Sequence, residues 1–208
     1  MKTLLLLLTL GTVTLSARED LSSLDAYIHS HMQRVTEGYV TEAQQTFFTS
    51  FLQNEKRIIT IAEIGFNAGH SSETLLLARP NTQVTSFDLM MHDYTATGKK
   101  YIDIKYPGRH TMVAGDSRVT VNKFAKENPG VTFDLIFIDG GHGYDIAKTD
   151  IMNMKKLARA DTLVVFDDIQ YKRPRRAWER CVEKGIVEEI ERFGNNERMW
   201  VLGKYRFN

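Results

Sequence analysis

An α/β fold is predicted: a doubly wound, mostly parallel sheet of seven strands with helices on both faces. Three features of the 208-residue sequence predict it. From residue 57 onward, short apolar runs alternate with helical stretches, the signature of parallel strands joined by crossover helices. The chain then ends on two extended stretches joined through Gly194-Asn195-Asn196, a turn signal that implies an antiparallel hairpin at the sheet edge. The composition, 42% hydrophobic and 25% charged, suits one compact domain, placed here over residues 18–208.

The elements follow in order. Residues 21–32 and 41–52 carry apolar side chains at three- and four-residue spacing and read as amphipathic helices, with Gly38-Tyr39-Val40 as the loop between them. Strands are expected at 58–64, 84–87, 110–113, 133–138 and 162–166, and the helices between them at 71–78, 95–105, 118–127 and 144–157. The closing hairpin takes residues 186–193 and 199–205. No internal repeat, low-complexity segment or linker marks a further boundary.

Twenty-seven Lys and Arg against 26 Asp and Glu give a net charge of +1, without the basic patch that a nucleic-acid partner requires. Cys181 is the single cysteine, which excludes an internal disulfide and a Cys-built zinc site; it reads as a small core residue. Residues 1–17 begin with Met1-Lys2, a minimal charged start, continue through an apolar run from Leu4 to about Leu15 and end on Ser16-Ala17. That pattern predicts a secretory signal peptide, with an uncleaved membrane anchor or a buried helix as the alternatives. The expected compartment is therefore the secretory pathway, and any membrane contact would run through this segment alone.

In open parallel sheets ligands bind beyond the carboxyl ends of the strands, so the loops there are where chemistry is sought. Glu63-Ile64-Gly65-Phe66-Asn67-Ala68-Gly69-His70-Ser71 leaves a strand and enters a helix. Its glycines let backbone approach a ligand, and the helix start offers free N–H groups. Asn67 stands where a dinucleotide fingerprint has its middle glycine, which tells against an NAD enzyme. Asp88 closes the second strand about 20 residues later, where a carboxylate can accept both ribose hydroxyls of an adenosine cofactor. After the third strand come Asp116 and Ser117, either of which can cap the next helix. Asp139 ends the fourth strand, and Asp167 and Asp168 end the fifth. Three carboxylates on one rim repel unless protonated or neutralised, and an all-oxygen set suits Mg2+ or Ca2+. The plainer alternative is a helix cap beside a solvated Asp.

The Gly-rich turn resembles the acidic-x-G-x-x-x-G motif of class I S-adenosylmethionine (SAM)-dependent methyltransferases, whose fold is Rossmann-like. The run Phe133-Asp134-Leu135-Ile136-Phe137-Ile138-Asp139-Gly140-Gly141-His142, with Val164-Val165-Phe166-Asp167-Asp168, resembles the metal-binding segments of the catechol O-methyltransferase and sugar O-methyltransferase group. The 28 positions from Asp139 to Asp167 fit that group, and the resemblance extends from about Val40 to Asp168. It implies SAM bound by Val40, Glu63, Gly65, Asn67, Gly69, Ser71, Asp88, Asp116, Ser117 and Asp139, and Mg2+ or another divalent ion on Asp139, Asp167 and Asp168. It also implies O-methylation of a small hydroxylated acceptor, a catechol, sugar or other polyol. His142 stands where catechol O-methyltransferase has a lysine base, and imidazole is a competent base near neutrality. Two other readings stay open: a metal-independent methyltransferase using His142, and a non-catalytic binding protein on the same scaffold. Tyr171, Lys172, Arg173, Arg175, Arg176 and Trp178 read either as a substrate-facing lid or as a solvated basic helix.

Overall fold

The computed structural model describes residues 21–32 and 38–207; the leader expected over residues 1–17 lies outside them. Among the described residues no helix is long and apolar enough to cross a membrane. Helices α1 (Leu24–Met32) and α2 (Glu42–Asn54) precede the alternating part: β1 (Thr60–Ile64), α3 (His70–Ala78), β2 (Gln83–Asp88), α4 (Asp93–Lys105), β3 (His110–Ala114), α5 (Ser117–Glu127), β4 (Leu135–Ile138), α6 (Tyr144–Met154) and β5 (Leu163–Phe166). Then come α7 (Lys172–Glu183), β6 (Val187–Gly194) and β7 (Met199–Tyr205). The sheet order is β3-β2-β1-β4-β5-β7-β6, with β1 to β5 parallel and β7 antiparallel to both neighbours. The hairpin is as expected, with β7 inserted beside β5 and β6 forming the edge.

The apolar runs are uninterrupted because both faces of the sheet are buried. Successive side chains alternate between two cores. Ile61, Leu135, Phe137, Val165 and Leu202 pack against α1 to α4, whereas Ala62, Ile136, Ile138, Val164, Phe166 and Val201 pack against α5, α6 and α7. The same parity sends Glu63 to the α1–α4 side. The basic stretch after Asp168 becomes α7: Ala177, Trp178 and Cys181 are fully buried, and its arginines face outward. Edge strand β6 carries Glu188, Glu189, Glu191 and Arg192 and a bulge between Glu189 and Glu191, features that discourage strand addition from another chain.

Reversal of strand order between β1 and β4 opens the crevice where this architecture places its ligands. Gly65 makes that crevice possible. Its φ is +95°, and a Cβ there would lie 2.0 Å from the carbonyl oxygen of Asp139. Gly65→Ala is expected to cost about 2–4 kcal/mol in denaturant unfolding, through clash and backbone strain together. Gly108→Ala, at φ +71° with nothing within 4 Å of its Cβ, carries the strain alone and should cost clearly less.

Candidate active site

A cavity of about 410 Å³ opens over the carboxyl ends of β1, β2 and β4. Of the residues expected there, Val40, Gly65, Asn67, Ser71, Asp88, Asp116, Ser117, Asp139, His142 and Asp168 line it. Glu63, Gly69 and Asp167 are not among its lining residues. Gly69 instead stands as the N-cap just before α3, at φ +104°. Glu63 is fully buried and accepts hydrogen bonds from Ser71, from Ser72 at 2.5 Å and from Ser86 at 2.5 Å. Burial holds its carboxyl above the usual range, with the three serines opposing.

The same buried network includes His110, whose Nε2 lies 2.9 Å from Ser86 Oγ. Burial, aided by the charge of Lys99, pushes the His110 pKa down to about 4. The unfolded chain therefore binds more protons than the folded one between the ordinary histidine value and about 4, so stability is lost as pH falls through that window. His110 alone should make the protein about 2 kcal/mol less stable near pH 5 than near pH 7. Urea midpoints of the wild type and of His110→Gln at the two pH values check this, and an unchanged pH slope in the variant would refute it.

Asp88 is fixed by backbone: its Oδ2 accepts the Asn67 N–H at 2.9 Å and its Oδ1 the Met90 N–H at 2.6 Å. Each oxygen keeps a lone pair for a ligand. Asp116 caps α5, accepting the Arg118 N–H at 2.9 Å, and also pairs with the Arg118 guanidinium at 2.5 Å. Ser117 Oγ donates to Asp150 Oδ1 at 2.7 Å, and burial pushes the Asp150 pKa up to about 6.

At the other end of the cavity the three carboxylates do converge. Asp167 has a fully buried side chain whose Oδ1 accepts the Asp168 N–H at 2.7 Å; its Oδ2 accepts Gln44 Nε2 at 2.7 Å and Arg198 Nη2 at 2.6 Å. Arg198 Nη2 also lies 3.4 Å from Asp139 Oδ2, and Nη1 lies 3.1 Å from Asp168 Oδ1. Asp168, at φ +61°, holds His142 Nε2 at 2.5 Å through its Oδ2. The His142 ring is half-exposed and stacks on Tyr171 at 5.4 Å.

Electrostatics follow from this packing. Burial and the charge of Asp167 hold Asp139 well above the usual carboxylate range, with Arg198 opposing. Burial brings Asp167 to about 6, again against the pull of Arg198. Burial also raises Asp168, but the His142 hydrogen bond and Arg198 outweigh it and leave this carboxyl below its ordinary value. The bond to Asp168 raises His142.

Two of these residues, Gln44 and Arg198, were not expected from the sequence. Gln44 is the third residue of α2 and closes a capping box with Thr41, a pattern readable as Thr41-x-x-Gln44. Arg198 follows the hairpin turn and has no local signal.

The placement of Arg198 bears on the expected divalent ion. Among the described residues, the group whose ligand atoms all lie within 4.8 Å of one another is Asp139, His142 and Asp168, not the three aspartates. Asp167 Oδ2 is filled by Gln44 and Arg198, its Oδ1 accepts the Asp168 N–H, and a guanidinium touches every carboxylate of the trio. A hard divalent ion and an arginine cannot share these oxygens without strong repulsion. As the side chains stand, Arg198 occupies the place among the three aspartates that the sequence reserved for Mg2+, and the compact set of ligand atoms is Asp139, His142 and Asp168 instead.

Among solved structures of similar fold is the O-methyltransferase from Bacillus cereus in complex with SAH, at 15% identity, with 93% of this chain and 94% of that chain covered and a TM-score of 0.72. Cofactor-bound Rv0187 from MTB shows 17% identity, 94% coverage of both chains and a TM-score of 0.72. The O-methyltransferase TomG from Streptomyces achromogenes, involved in tomaymycin synthesis and in complex with SAM, shows 18% identity, 92% coverage of both and a TM-score of 0.70. No curated protein sequence matches the chain. A family model described as a methyltransferase domain matches residues 62–169, more than half of the sequence and the stretch that builds the cavity from β1 to Asp168. The chain belongs to this methyltransferase family.

Proposed function

We propose that the protein is a SAM-dependent O-methyltransferase of a small hydroxylated acceptor, a catechol, sugar or other polyol, with His142 as the general base. The observation that carries this reading is the His142–Asp168 pair on the rim of the same cavity that Asp88 borders. Relatives of like fold are O-methyltransferases by name, two of them in complex with SAM or SAH.

In this reading Asp88 holds the ribose and Ser117 and Asp116 border the adenine. Val40, Gly65, Asn67 and Ser71 surround the methionine part. When bound, SAM supplies a sulfonium methyl whose C–S electron pair returns to sulfur as the acceptor oxygen bonds the carbon. The chain's own work is positioning and proton removal. Asp168 fixes His142 through Nε2, which leaves Nδ1 to take the hydroxyl proton, and the imidazolium so formed lies against a carboxylate held ionised. No step here runs through a metal ion.

Calorimetry with SAM and with SAH tests the cofactor, and a methyl-transfer screen of catechols, sugars and polyols tests the reaction. Absence of heat with either nucleoside would sink the proposal. Binding without transfer to any acceptor class would instead favour a non-catalytic role.

A further inference from the structure

Two cavities meet at Arg198. Beyond the cofactor cavity lies a second one, about 480 Å³, lined by Thr41, Glu42, Asn195 and Trp200 among others. The two have Gly38, Tyr39 and Arg198 in common. The Trp200 side chain is buried, and its indole Nε1 has no hydrogen-bond partner. An acceptor seated in this second space would meet the cofactor cavity beside the guanidinium.

The charge of the site makes the same point. Asp139, Asp167 and Asp168 bring three carboxylates together, and Arg198 reaches all three with two nitrogens, its side chain only 24% exposed. Burial would lower the basicity of Arg198, but the three aspartates outweigh it, so the group stays charged. A planar guanidinium offers five donors in a fixed fork, which lets two nitrogens reach three carboxylates from separate points, where a lysine would have to do so from a single atom.

We propose that Arg198 is the resident cation of this site, standing where related chemistry would call for a divalent ion. It holds the three carboxylates together and presents positive charge at the junction of the two cavities, where the acceptor oxygen loses its proton. This rests on the methyltransferase reading above, and methyl transfer then needs no added metal.

The test is a Mn2+ titration followed by electron paramagnetic resonance on the full chain, alone and with SAH, for the wild type, Arg198→Ala and the near-isosteric Arg198→Met. Wild type is expected to leave the free Mn2+ signal unchanged. The variants, freed of the guanidinium, are expected to bind one Mn2+ at least about tenfold more tightly than wild type, with a matching rise in melting temperature on adding the ion. Stoichiometric Mn2+ binding by the wild type would overturn the proposal, even should both variants fail to fold. Folded variants that bind Mn2+ no better than wild type would overturn it as well. Calorimetry with SAH, run on the same samples, separates failure of this inference from failure of the cofactor assignment.

Discussion

Replacing His142 with Gln is expected to lower kcat by about 10²–10⁴-fold, the range spanned by a positioned general base, while leaving the SAH dissociation constant within about twofold. Glutamine keeps a polar group near Asp168 but cannot accept the acceptor's proton. A second signature distinguishes a base from a packing residue. The groups facing His142 are Asp168, Asp167 and Arg198, and the Asp168 bond dominates, holding the imidazole above its ordinary value. A base must be neutral to act, so wild-type kcat should rise with pH through a value above about 6.5. The residual activity of the variant should lack that limb. Full turnover in His142→Gln, or a wild-type profile with no such rise, would remove His142 from the chemistry.

Asp88→Asn should weaken SAH binding by about a hundredfold, roughly 3 kcal/mol, because two charge-assisted hydrogen bonds to a ribose become at best one neutral bond. The substitution preserves shape. It also turns an amide N–H toward one of the two backbone donors, Asn67 or Met90, that the carboxylate now satisfies, so a modest fall in melting temperature accompanies it. Calorimetry of the folded variant decides the matter: an unchanged SAH affinity would show that the ribose lies elsewhere.

Much of the frame was legible because both faces of a parallel sheet are buried and its strands announce themselves as apolar runs. The observed strands fall within one or two residues of the expected positions, and the rim residues Asp88, Asp139, Asp167 and Asp168 followed from reading what stands at each strand's carboxyl end. Glu63 shows where that reading needs a further rule. It belongs to the strand, not the loop, and lies between Ala62 and Ile64, which face the α5–α7 core. Alternation therefore drives it into the opposite layer, where the serines of α3 and β2 receive it. Ser71, one turn further on, does border the cavity. Arg198 was illegible for a different reason. Its partners lie at least 30 residues away in sequence, at positions 139, 167 and 168, and only the docking of β7 against β5 brings it over them. Gln44 reaches Asp167 across 123 positions, so its capping pattern revealed a helix start and nothing of the bond.

That distance in sequence has an outcome for biosynthesis. A growing polypeptide emerges with its acidic strand ends first; His142 is already there to pair with Asp168, but Asp139 and Asp167 must wait for β7 before Arg198 reaches them. A rim whose counter-charge comes from the last hairpin is expected to set after the strands that carry it, a sequence that pulse-labelling hydrogen exchange during refolding would read.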